Sequence, residues 1–123
     1  MTLGDFLKRE AGSSAPWNCS TTAGDWCLLL GHPDFVARWR RITKAAECAY
    51  TARRGLVRLW DRGIRGALPV VKAPYLAGDI AVVEANGAEA GAIFTGQRWA
   101  IRKSRGFLFA APDDVAVTKA WRP

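Results

Sequence analysis

The sequence predicts an α+β fold, with N-terminal helices packed on a C-terminal antiparallel β-sheet. Three observations carry that expectation. The chain has 123 residues, enough for one domain with its own core. Half of its residues are hydrophobic and 24% are charged, which suits a packed chain rather than a disordered one. Hydrophobic residues recur at helical spacing up to residue 66, then alternate in short runs from 78 to 121. A single domain over 1–123 follows, mainly helical over 1–66 and mainly a β meander over 78–121.

The elements follow in order. Thr2 and Asp5 are spaced as a capping box, and Leu3, Phe6 and Leu7 share one face of the helix behind it. Gly12 to Pro16 reads as a loop. A second helix is expected from Cys19, with Ala23, Trp26, Cys27 and Leu30 at core spacing, stopped by Gly31-His32-Pro33-Asp34. Asp34 can cap a helix over Phe35 to Arg41, and Thr43 another up to Arg53. Gly55 interrupts the pattern before a last helix carrying Leu56, Leu59, Trp60 and Ile64. Strands are expected at Asp79–Val83, Ala90–Thr95, Arg98–Arg102, Phe107–Phe109 and Val115–Val117, with Asn86-Gly87 as a hairpin turn.

Several classes are excluded. The longest apolar runs, such as Cys27 to Leu30, are far too short to span a membrane. The first ten residues lack the apolar region of a secretory signal. Three cysteines make no disulfide framework, so a reducing compartment is expected. Cys19, Cys27, Cys48 and His32 lack metal-ligand spacing, and no glycine loop is built to cradle phosphate. No cofactor is expected.

Charge is concentrated. Lys and Arg number 18 against 11 Asp and Glu, a net charge of +7. Between Arg38 and Lys72 stand ten basic residues and only Glu47 and Asp61 against them. Arg53, Arg54, Arg58, Arg62 and Arg65 fall on expected helices, where arginine suits bidentate contact with carboxylate or phosphate. A solvated helix face and an acidic neighbour are the leading readings. Nucleic acid is the less favoured partner, because no base-reading motif accompanies the charge. Six tryptophans are available for core or interface. Trp99 and Trp121 are assigned with those arginines to a partner interface.

The stretch with chemistry in it is Trp17-Asn18-Cys19-Ser20-Thr21. A cysteine at a helix start meets free N–H groups and the positive end of the helix dipole, which favours thiolate and offers donors to an oxyanion. The plain structural reading is a half-buried thiol beside a capping Ser20 or Asn18.

Trp17-x-Cys19 opening a helix, with Gly78-Asp79-Ile80-Ala81-Val82 and Ala90-Gly91-Ala92-Ile93 later, resembles the papain-like fold of NlpC-type cell-wall cysteine peptidases. The whole chain resembles a family of small phage-encoded proteins of uncharacterised function, through those motifs, the Gly91 to Gly96 strand and the closing Ala120-Trp121-Arg122. That resemblance implies a place near the phage tail tip, in the virion, beside other tail-tip proteins, with peptidoglycan as a further candidate partner. It also implies Cys19 as nucleophile, with the backbone N–H groups of Cys19 and Ser20 as oxyanion hole. One departure stands out. Where those peptidases carry the histidine base, this sequence has Ala88-Glu89-Ala90. Its only histidine, His32, lies 13 residues from Cys19 at the far end of the same expected helix, roughly 18 Å away and out of reach. Glu89 is the weak substitute, since a carboxylate beside a thiolate opposes its formation. The expectation is therefore a structural or accessory tail-tip (hub or baseplate) protein on a catalytically degenerate peptidase scaffold. The alternatives are an active peptidoglycan-cleaving peptidase using Cys19 and a basic nucleic-acid-binding module.

Overall fold

The structure is a computed structural model that describes residues 1–47 and 55–123. The expected helix extension to Arg53, and with it Cys48, Arg53 and Arg54, lies outside the described residues. The fold is α+β, as expected: helices in the N-terminal part and a six-stranded antiparallel sheet in the C-terminal part.

Helix α1 spans Leu3–Ala11 and opens on the complete capping box, with the Asp5 N–H donating to Thr2 Oγ1 at 3.1 Å. Its buried face is Phe6 and Leu7. Helix α2 spans Thr21–Leu29 and starts two residues later than expected, so Cys19 sits in the turn before it. Leu30, expected in the core, is instead the C-cap and is 45% exposed. Residues 35–41 form successive turns rather than the expected helix. The Trp39 N–H donates to Val36 O, not to Phe35 O as an α-helix requires. This segment is closely crossed by Gly63, where an added Cβ would sit 2.1 Å from the Phe35 carbonyl oxygen. Thr43 does cap the helical residues 44–47. Helix α3 spans Leu56–Ile64 after Gly55 at φ +82°, and buries Leu56, Leu59, Trp60 and Ile64 as its spacing predicts.

The strands are β1 (Val70–Val71), β2 (Ile80–Ala85), β3 (Ala88–Phe94), β4 (Trp99–Arg102), β5 (Phe107–Ala110) and β6 (Ala116–Trp121), with a 3-10 turn at Pro112–Asp114. Their order in the sheet is β1-β6-β2-β3-β4-β5. Only β2 to β5 make a meander; β6 returns to pair with β2, and β1 pairs with β6. Asn86 and Gly87, both at positive φ, form the two-residue hairpin between β2 and β3. Alternation then sorts side chains to two faces. Ile80, Val82, Ile93, Ala100 and Trp121 join the helices in one core. Ala81, Val83, Ala92, Phe94, Trp99 and Ile101 form a second cluster on the opposite face, joined by Tyr75.

Both tryptophans assigned to an interface are therefore interior. Trp99 is 1% exposed and packs against Phe94 and Tyr75. Trp121 is 2% exposed and packs on Trp60 at 5.6 Å between ring centres. Both are buried against aromatic rings of their own chain, so neither offers a surface to a partner. Among the described residues, no helix is long and apolar enough to cross a membrane.

Candidate functional site

Cys19 lies where β3 and the start of α2 touch. A Cβ on Gly91 would come within 2.2 Å of the Cys19 carbonyl oxygen and 2.8 Å of the Trp60 ring, so only glycine permits this approach. Glu89 precedes Gly91 by two residues on the same strand face, about 7 Å along the strand. The fold thus brings Cys19 and Glu89 to one neighbourhood. The Glu89 carboxylate, however, accepts the Leu56 N–H at 3.1 Å and caps α3. His32 lies beyond the far end of α2, its N–H donating to Cys27 O at 2.9 Å.

The decisive group is Glu47, which is 1% exposed. Its Oε1 accepts the Cys19 N–H at 2.7 Å. Its Oε2 accepts the Ser20 hydroxyl at 2.7 Å and the Trp39 Nε1–H at 2.9 Å. Ser20 Oγ in turn accepts the Trp60 Nε1–H at 2.9 Å. The Ser20 N–H goes to Asn18 Oδ1 at 2.9 Å. Both N–H groups expected to form an oxyanion hole are therefore engaged, one of them by a carboxylate. Donors already held by acceptors of the fold are not open to the oxyanion that such a hole must stabilise. The second described cysteine, Cys27, is no substitute: burial, then the Asp34 charge, push its thiol up to about 12.

Another polar cluster ties α1, α2 and the 34–42 segment together. Arg40 holds Asp34 bidentately at 2.8 Å and also binds Asp25. Glu10 stands 3.8 Å from Arg102, whose guanidinium lies over the Trp17 ring at 5.2 Å. Burial, followed by the negative charge of Asp25, pushes the Glu10 carboxyl up to about 7. The Gly-Asp strand motif and the closing Trp-Arg also meet: Arg122 donates to both Asp79 oxygens, at 2.8 and 2.9 Å. That pair, too, holds the fold.

The basic segment divides. Arg40 is half-buried and paired as above, whereas Arg58, Arg62 and Arg65 stand exposed on or just after α3. Beside them opens a groove of about 470 Å³, with Phe35, Ile42 and Leu59 as floor and Arg38, Arg62 and Arg65 at the rim.

The family model described as "Domain of unknown function (DUF6950)" matches residues 2–123. The chain belongs to that family. No curated protein and no solved structure matches it.

Glu47 and the groove are what sequence reasoning missed. Glu47 entered only as a counter-charge in a basic run, and its three donors come from two other chain segments. The available signal was Gly63, a glycine inside a helical pattern, which marks a close crossing.

Proposed function

We propose that this protein is a non-catalytic assembly component built on a cysteine-peptidase-like scaffold, working in the virion at the phage tail tip that the sequence resemblance implies, against neighbouring tail proteins. The observation that carries this reading is the Glu47 carboxylate on the Cys19 N–H. A nucleophile needs open donors for the oxyanion it creates and a base for its own proton. Here the donor faces a carboxylate, and the side chain at the expected base position caps a helix. What the scaffold retains is a rigid body with an exposed arginine flank on α3, suited to an acidic neighbour.

The test compares wild type with Cys19→Ala for muropeptide release from purified peptidoglycan, and for assembly of infectious particles. Neither protein should release muropeptides, and Cys19→Ala particles should stay intact and infectious. Release by wild type alone would overturn the reading in favour of a peptidase using Cys19.

A further inference from the structure

We infer that copies of this chain associate head to tail, the β5 edge and the acidic turn behind it from one copy seating in the arginine-rimmed groove of the next. The groove sets the requirement. It holds about 470 Å³. Its floor asks for apolar side chains, and Ile42 is left 38% exposed within it. Arg38 and Arg65, both exposed, ask for carboxylates at the rim. Asp34, the acidic residue along the groove, is already bound by Arg40, so its charge does not compete.

The chain itself carries a segment of that chemistry. Strand β5 ends the sheet at one edge, where Leu108 and Phe109, pointing to opposite faces, are each 47% exposed. Four residues past Phe109 come Asp113 and Asp114, exposed in the 3-10 turn. An apolar side chain on one face of this edge, with two carboxylates a few residues beyond it, complements an apolar floor with an arginine rim. An unprotected apolar sheet edge is also a surface that natural proteins normally cover.

The two surfaces cannot meet within one molecule. Helix α3 sits over β6, where Trp60 packs on Trp121. Four strand spacings separate β6 from β5, about 19 Å along the sheet. Joining these complementary surfaces therefore takes a second copy, in a heterologous contact that closes into a ring or extends as a filament. Nucleic acid fits poorly, because the Phe35 and Trp39 rings are only 5% and 6% exposed and give bases nothing to stack on.

This inference deepens the assembly reading by naming a partner, and it fails separately: an inactive protein can be monomeric, and the peptidoglycan assay does not report oligomeric state. The test is sedimentation velocity on the full chain across a concentration series, at low and high salt. Wild type should self-associate, more weakly at high salt. A groove variant, Arg38→Glu with Arg65→Glu, and an edge variant, Leu108→Asp with Phe109→Asp, should each weaken association about tenfold or more. Mixed in equal amounts, the two variants should form a one-to-one dimer, since each still offers one intact surface. That arm also shows that both remain folded. A monomeric wild type at every concentration, association untouched by both variants, or a mixture that stays monomeric would each overturn the proposal. So would salt-sensitive DNA binding lost in the groove variant alone, which would assign the groove to nucleic acid.

Discussion

The start of α2 and the outer flank of α3 both centre on charged side chains, and they use them in opposite ways. At the start of α2 the Glu47 carboxylate is buried, and three donors from two other segments converge on it. On the α3 flank the arginines stand in solvent around an apolar groove. A buried, saturated charge is part of the fold's own framework, and breaking it damages the fold. An exposed charge beside an apolar floor contributes little to folding, so its effect is expected on recognition. The difference teaches where function should be sought here: at the groove rather than at the cysteine.

Replacing Glu47 should break the comparison most visibly. Glu47→Ala leaves the Cys19 N–H, the Ser20 hydroxyl and the Trp39 indole N–H without that acceptor in a buried site. The expected loss is roughly 3–5 kcal/mol, read from the urea midpoint. Arg38→Glu on the groove rim should stay within about 0.5 kcal/mol of wild type. If the two variants proved equally mild, Glu47 would not be the framework group described above.

Glu10 sharpens the same contrast through pH. Its carboxyl is pushed from 4.5 up to about 7, first by burial and then by the charge of Asp25. In that window the unfolded chain has released a proton that the folded chain still holds. The folded state binds more protons there, so this group's contribution to stability falls as pH rises from about 4.5 to about 7, and the loss is complete above it. Glu10→Gln should remove that slope. The wild-type-minus-variant difference in unfolding free energy should fall by on the order of 2 kcal/mol across the window. Asp34, held low by Arg40, acts in the opposite sense and only at more acidic pH.

How much of this was legible in the sequence depends on how local the cause is. The Thr2–Asp5 capping box, the Asn86-Gly87 hairpin and the alternation of β2 to β6 arise from residues within a few positions of each other, and they were readable. Strand β1 was missed because two valines carry no period. Residues 35–41 form turns despite their helical spacing, and their packing against Gly63, far along the chain, is a contact that local spacing does not show. Trp99 and Trp121 were placed at an interface because composition does not say which face of a strand is roofed. At the candidate site, the helix start near Cys19 and the location of Glu89 were legible. The carboxylate on the Cys19 N–H was not, since it is brought there from 28 residues away.

The smallest effect separates folding from recognition at one residue. Arg65 is the C-cap of α3 and sits in the left-handed region at φ 51°, a place where helices ordinarily put glycine. A non-glycine residue there costs about 1–2 kcal/mol, and glycine gives back part of that through the greater entropy of the unfolded chain. Arg65→Gly should therefore stabilise the monomer by about 0.5–1 kcal/mol, seen as a higher urea midpoint. It removes one charge from the groove rim in the same step, so it should also weaken self-association. A variant that is more stable yet binds its partner less well is what a strained residue kept for recognition predicts. Were Arg65→Gly to gain stability with association unchanged, Arg65 would be a tolerated helix cap, and the rim would have to act through Arg38 and its neighbours.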